Sequence, residues 1–280
     1  MPEGPEVECV RKNLLSIVGK RIQAIRLSEL SQKYPKYQDK QTLFDTFSHS
    51  RLTAIERKGK FLLFIFDIDP VILNHLGMSG KWLLDAGESS YTHPKVTIKL
   101  EGGTTAIFDD VRNFGQFTFY SSYDEAMKHR GIKNLGVDGL EMPFNMDVFL
   151  ELLDHPRYEN RTIGEALLDQ RIVAGVGNIY KSESLFQAGI NPSRIVKNIT
   201  PRKRKELGEA ISQTLHKALE CNGSTFGNQP YLLPSGEAGD AQKWHAVYGR
   251  EGKECKKCGK KVVRLVQKDR STFYCPTCQK

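Results

Sequence analysis

The chain has 280 residues, a formal net charge of +8 from 41 Lys/Arg and 33 Asp/Glu, and 39% hydrophobic residues. That length suits two domains, with or without a small third, each able to bury a real core, and the composition is globular rather than disordered or fibrous. No apolar run reaches the 18 or more residues of a membrane span and no signal-like core opens the chain, so the expected setting is cytoplasmic, with no membrane partner.

The chain opens Met1-Pro2-Glu3-Gly4-Pro5-Glu6-Val7-Glu8. Proline in a first turn and carboxylates near a helix N-terminus fit an ordinary helix start. A chemical reading stands beside it. Removal of Met1 leaves Pro2 with a terminal secondary amine, and a free α-amino group with a pKa of roughly 8 is partly neutral and nucleophilic near pH 7. From residue 5 to 18, Val7, Val10, Leu14, Ile17 and Val18 share one helical stripe. Strand-like runs follow at 21–27, 52–57, 61–66, 71–76, 95–100, 105–108 and 116–120, separated by Gly or Asp clusters and not by helices. Short strands in succession predict an antiparallel sandwich or barrel.

Past about residue 140 the pattern turns helical. Thr162-Ile163-Gly164-Glu165 reads as a capping box opening a helix to Leu168. A helix is expected over 178–188, entered through Gly175-Val176-Gly177. The glycines lack the third member and the strand–helix–strand context of a dinucleotide site. They fit either tight helix packing or a single phosphate held by the N–H groups of Gly177 and Asn178. Thr200-Pro201 is an N-cap and N1 pair for a helix carrying Leu207, Ile211, Leu215 and Ala218. Residues 222–242, rich in Gly, Asn, Pro and Ser, read as a long mobile loop.

The last 41 residues hold 11 Lys/Arg against 4 Asp/Glu, nearly the whole net charge. Such density points to a polyanion, phosphate backbone above all, or to a solvated tail. Cys255-x2-Cys258 and Cys275-x2-Cys278, 16 residues apart, have the spacing of one structural zinc site, two adjacent disulfides being the alternative. Four protein ligands leave that metal no open position. Between the pairs, 261–267 and 271–274 predict a hairpin with its tip at 267–270. Cys9 and Cys221 remain as buried thiols.

Six motifs now stand in one order: the opening octapeptide, Lys58-Gly59-Lys60-Phe61, His75-Leu76-Gly77-Met78-Ser79-Gly80, Arg112-Asn113-Phe114-Gly115, residues 173–180 and residues 269–278. Together they resemble the formamidopyrimidine-DNA glycosylase and endonuclease VIII family of base-excision repair enzymes, over the whole chain. The resemblance implies an α+β protein. An N-terminal antiparallel β-sandwich with flanking helices spans 1–135, a helix–two-turns–helix module 136–225, and a mobile loop with a zinc-finger β-hairpin 226–280. Damaged double-stranded DNA would lie in the cleft between, bound by a monomer associated with the nucleoid.

It implies a chemistry as well. The damaged nucleotide is flipped out, the Pro2 amine attacks C1′, the base departs, and the cationic iminium promotes β- and δ-elimination. By the same match Glu3 handles proton transfers at the sugar, Glu6 holds the N-terminus through helix-start hydrogen bonds, and Lys60 contacts a phosphate beside the lesion. Met78, Arg112 and Phe114 fill the gap left by the flipped nucleotide, while Asn178 and Arg270 contact phosphates. One structural zinc is implied, with no redox or nucleotide cofactor.

Gly4 replaces a leucine usual in the formamidopyrimidine branch, and Gly164 stands where many purine-directed members carry lysine. The His75 and Arg112 motifs nonetheless favour oxidised purines over the oxidised pyrimidines of the endonuclease VIII branch. A non-catalytic zinc-ribbon DNA-binding protein leaves Pro2, Glu3 and Lys60 unexplained. A metal-dependent nuclease lacks an obvious carboxylate cluster for Mg²⁺.

Overall fold

The computed structural model describes residues 2–32, 44–85, 87, 90–225 and 231–280. These fall into two compact units, one holding Pro2, Glu6–Lys133 and Asn222–Asp240, the other Glu3–Pro5, Asn134–Cys221 and Ala241–Lys280.

In the first unit, helix α1 (Gly4–Leu14) buries Val7, Val10 and Leu14, whose three- and four-residue spacing places them on one face. Strands β1 (Ile22–Leu27), β6 (Pro94–Leu100), β7 (Thr105–Asp109) and β5 (Lys81–Leu84) form one antiparallel sheet in the order β1-β6-β7-β5. The second sheet runs β2-β3-β4-β8, from Leu52–Lys58, Phe61–Phe66, Val71–His75 and Gln116–Tyr120. Short helices α2 (Glu29–Gln32) and α3 (Tyr123–Met127) complete the unit. The predicted sandwich is present, with one strand more than the sequence reading found. β5 has only four residues, too few to display a period.

Yet β5 carries the centre of the core. Trp82, fully buried, packs 5.3 Å from Phe64, 5.4 Å from Phe108 and 6.0 Å from Phe117 between ring centroids. Its Nε1–H donates to Asn74 Oδ1 at 2.9 Å, so the buried polar pair is satisfied. Cys9 is buried as expected, and burial pushes its thiol up to about 12. Of the loop expected at 222–242, residues 226–230 lie outside the described residues. On its two flanks Thr225 Oγ1–H donates to the Tyr231 carbonyl at 3.1 Å and accepts from Gly239 N–H at 3.1 Å.

The second unit is helical, with α4 (Met146–Leu153), α5 (Pro156–Glu159), α6 (Ile163–Ala166), α7 (Asn178–Ala188) and α8 (Pro201–Glu220), and a short parallel pair β9 (Val137–Asp138) and β10 (Val173–Ala174). The cap of α8 forms as predicted. Thr200 Oγ1 accepts from Lys203 N–H at 3.3 Å, and Leu207, Ile211, Leu215 and Ala218 are all fully buried. The capping box at Thr162 does not form. Its hydroxyl accepts instead from Gln267 Nε2–H at 3.0 Å, and α6 ends at Ala166 rather than Leu168. A distant side chain has outcompeted the local cap.

The hairpin of β11 (Val263–Gln267) and β12 (Arg270–Tyr274) closes through Lys268 and Asp269 at φ 45° and 60°, the left-handed pair that a two-residue hairpin turn requires. Cys221 is half-buried rather than buried. No helix among the described residues is long and apolar enough to cross a membrane.

Candidate catalytic and nucleic-acid-binding residues

Within the first unit Pro2 and Glu6 are buried. Glu6 Oε1 accepts the Ser224 N–H at 2.7 Å, and its carbonyl accepts the Tyr231 hydroxyl at 2.9 Å. Met1 lies outside the described residues. Lys60 is half-buried in the β2–β3 turn, where Lys58 pairs with Phe61. A buried ion pair links this turn to α1. Arg57 Nε–H donates to Glu8 Oε2 at 3.0 Å, and Arg57 Nη1–H donates to the Gly59 carbonyl at 3.0 Å. Burial alone would raise the Glu8 carboxyl, but hydrogen bonds and charge from Arg11 and Arg57 outweigh it and hold the group below its ordinary value.

His75 stacks 4.7 Å from Phe61, and its Nδ1 accepts the Gly77 N–H at 3.0 Å. Burial, with Lys60 and His129 adding to it, lowers its pKa to about 4. A neutral imidazole therefore braces the turn that presents Met78.

Met78 and Phe114 are apolar side chains left 42% and 54% exposed. Arg112, also exposed, sets its guanidinium carbon 5.1 Å from the Phe114 ring centroid. Their two turns are clasped by Asp110, a fully buried carboxylate that the sequence reading passed over. Its Oδ1 accepts the Ser79 hydroxyl at 2.6 Å and its Oδ2 the Gly115 N–H at 2.6 Å, while Ser79 Oγ accepts the Arg112 N–H at 3.0 Å. The signal was there: a carboxylate between a strand end and a turn, where Asp bonds nearby backbone.

In the second unit Glu3 is 1% exposed and sits on the N-terminus of α7. Oε2 accepts from Gly177 N–H at 2.8 Å and Tyr180 N–H at 3.2 Å, and Oε1 accepts from Ile179 N–H at 2.8 Å. Of the two N–H groups offered for a single phosphate, that of Gly177 is taken by Glu3. The anion on the helix dipole is the chain's own carboxylate. Gly4 N–H donates to the Gly175 carbonyl at 2.8 Å, and a Cβ on Gly4 would stand 3.0 Å from Gly175 Cα. A leucine there would force these strands of backbone apart.

Asn178 turns its side chain toward the hairpin, donating from Nδ2 to the Ser271 carbonyl at 2.5 Å, next to the exposed Arg270. At Gly164 any Cβ would overlap the Gln267 amide, so the lysine absent there has no room in this packing.

The four Sγ atoms of Cys255, Cys258, Cys275 and Cys278 lie within 4.8 Å of one another, with Cys258–Cys275 at 3.5 Å and Cys255–Cys278 at 3.9 Å. Tetrahedral zinc with bonds of about 2.3 Å spaces its sulfurs by about 3.8 Å, whereas a disulfide needs about 2.05 Å. The cluster fits one structural zinc and not two disulfides.

Comparison with known proteins agrees along the whole length. The profile for the formamidopyrimidine-DNA glycosylase N-terminal domain matches residues 1–117, that for its H2TH domain 135–229, and that for a zinc finger found in FPG and IleRS 252–280. Formamidopyrimidine-DNA glycosylase of Desulfitobacterium hafniense (strain DSM 10664 / DCB-2) is 36% identical over 284 residues, covering all of both chains. The crystal structure of MutM (Fpg) from Thermus thermophilus has a TM-score of 0.85 at 35% identity, over 99% of this chain and 98% of that one. Lactococcus lactis Fpg in complex with abasic-site DNA has a TM-score of 0.86 at 31% identity, over 99% of each. The same Lactococcus protein has been solved with N7-benzyl-Fapy-dG DNA and with DNA containing an oxidised pyrimidine.

Proposed function

The chain belongs to the formamidopyrimidine-DNA glycosylase family, and from that premise we propose how its own residues carry the reaction. It is a base-excision-repair glycosylase with AP lyase activity, acting on damaged duplex DNA. Pro2, freed of Met1, attacks C1′ of the flipped nucleotide, and the oxidised purine leaves. The adduct's C1′–O4′ bond then breaks, O4′ taking a proton as the sugar ring opens. The resulting iminium on the Pro2 nitrogen acidifies the C2′ proton, so β- and then δ-elimination cut the strand. Glu3 exchanges protons at the sugar. Glu6 holds the N-terminus, Lys60 a phosphate beside the lesion, and Met78, Arg112 and Phe114 the vacated stack. Asn178 and Arg270 grip phosphates. Zinc on the four cysteines supplies no chemistry and holds the hairpin in shape.

The observation that carries this reading is the Glu3 carboxylate, next in sequence to Pro2 and anchored by three backbone donors. Those three donors fix the carboxylate in one orientation, and an oriented carboxylate is a group suited to exchange protons with a reacting centre. The domains are proposed to divide at 1–135, 136–225 and 226–280, and the protein to act as a cytoplasmic, nucleoid-associated monomer.

Oxidised pyrimidines are the second reading. Gly4, packed on Gly175, supports it, as does the Lactococcus relative's complex with DNA containing an oxidised pyrimidine. Incubation with duplexes carrying 8-oxoguanine, formamidopyrimidine or thymine glycol, scoring released bases and strand ends, tests both. Excision of none of the three would overturn the assignment.

A further inference from the structure

Lys181 is fully buried on the first turn of α7, and no reading of the sequence singled it out. Its Nζ donates to two neutral oxygens, Asn178 Oδ1 at 2.9 Å and Thr272 Oγ1 at 2.6 Å. The chain of bonds continues inward. Thr272 Oγ1–H donates to Gln267 Oε1 at 3.0 Å, and Gln267 Nε2–H reaches Thr162 Oγ1 and the Pro192 carbonyl at 3.0 and 3.1 Å. Thr272 and Gln267 are themselves buried. One amine thus joins Asn178 on the helix to β12, two residues from Arg270.

Resting on the phosphate contacts proposed above, we propose that Lys181 is a proton-linked positioning residue: its amine holds Asn178 and the Arg270 strand together, and a phosphate drawn to those two residues adds an anion beside an amine whose hydrogen-bond acceptors are both neutral. A buried ammonium whose hydrogen-bond acceptors are all neutral is costly, so burial shifts the amine toward its uncharged form. Burial lowers its pKa to about 7; Glu3 and Glu165 on α6 oppose the shift, and Arg270 on β12 adds to it. The phenol of Tyr248 bonds to Asn178, the residue that Lys181 also holds. A phosphate anion nearby favours the ammonium, and the amine then takes up a fraction of a proton from solvent, smaller at pH 6.5 than near pH 8. By linkage, DNA affinity must fall as pH rises through 7 and above.

The test is fluorescence anisotropy with a duplex bearing a tetrahydrofuran abasic analogue, from pH 6.5 to 8.5, with calorimetry in phosphate and Tris buffers to count protons. Lys181→Met keeps the volume and removes the bonds. Loss of hydrogen bonds at a charged group predicts binding weaker by about tenfold at pH 6.5, a flatter pH profile and less proton uptake. KM for excision should rise by more than kcat falls. An unchanged affinity and an unchanged pH profile overturn the proposal. Should Lys181→Met not fold, Thr272→Val removes one acceptor and should weaken binding, with Thr272→Ser restoring it; wild-type binding by Thr272→Val overturns the proposal equally. Asn178→Ala and Arg270→Ala separate the layers. If both bind normally, the phosphate reading itself falls, and this inference with it. If they bind weakly while Lys181→Met does not, this inference alone is wrong.

Discussion

The Oε1 of Glu3 accepts the backbone N–H of Ile179 at 2.8 Å, across 176 positions of sequence. With the Gly177 and Tyr180 donors it makes a site for an anion, filled from within the chain. Replacing that carboxylate by an amide keeps the shape and removes the charge.

Glu3→Gln should therefore act on two levels. Bonds from backbone donors to a charged acceptor are each worth about 1.5–3 kcal/mol, so thermal melting should fall measurably. Removing a general acid–base group should cost about 10²-fold or more in base excision. Cleavage at a ready-made abasic site skips the step that expels the base, with its proton transfer at the sugar, and should fall less. Equal losses on the two DNA substrates would show that Glu3 acts through the fold alone.

These bonds also mark where local pattern ends. The stripe of α8 was legible because its burial repeats with the helical period. The sandwich strands were legible because short β-branched and aromatic runs stand between Gly and Asp clusters, even where burial is continuous as in β4. The four-residue β5 was not, though Trp82 at its heart is fully buried. Thr162 has every local mark of a cap, and loses that role to Gln267, 105 residues away. Asp110 and Lys181 were missed for the same reason. Their partners are fixed by tertiary packing, to which a window of sequence is blind. The cysteines needed no such help, since metal chemistry constrains their spacing directly.

Metal removal tests the finger. Cys258→Ser should lose zinc, measured by atomic emission, and unfold the hairpin, because metal binding supplies on the order of 10 kcal/mol to such modules. Asn178 would lose its Ser271 partner and Lys181 its Thr272 partner. Excision should drop sharply while a melting transition from the sandwich persists. Full excision by zinc-free protein would contradict the role given to the finger.

The exposed pair Arg112 and Phe114 tests base extrusion. Arg112→Ala and Phe114→Ala should lower excision from an intact damaged duplex by about tenfold or more, since unstacking a base costs a few kcal/mol that these groups offset in part. Cleavage of abasic duplex should change little by comparison, because no base has to be displaced. Both side chains are exposed, so unfolding free energies should stay within about 0.5 kcal/mol of wild type.

His75 predicts a pH dependence of stability. Its folded pKa of about 4 lies below the unfolded value of 6.5, so the unfolded chain binds the proton more readily. The contribution is fully present above pH 6.5 and is lost as pH falls through that value toward 4. Between pH 7 and pH 5 the loss amounts to about 2 kcal/mol. Urea denaturation of wild type and His75→Gln at the two pH values checks this, with the variant expected to lose about 2 kcal/mol less. Identical slopes would remove His75 as the cause.

The last prediction concerns the terminal amine. Pro2 can act as nucleophile only if its nitrogen is terminal and neutral; with Met1 retained, or with residues added ahead of it, that nitrogen is an amide whose lone pair is delocalised into a carbonyl. Borohydride reduces an iminium to a stable amine, so processed protein should become covalently trapped on damaged or abasic DNA. Protein shown by mass spectrometry to retain Met1 should not. Glycine at position 2 is a weaker test, because its primary amine can still attack. Lys60 is the control that matters, being an amine in the same unit as Pro2. Lys60→Ala should weaken DNA binding yet still trap at saturating DNA. If the Met1-retaining protein traps as well as the processed one, and Lys60→Ala abolishes that trapping, the nucleophile is Lys60 and the opening proline serves only to start a helix.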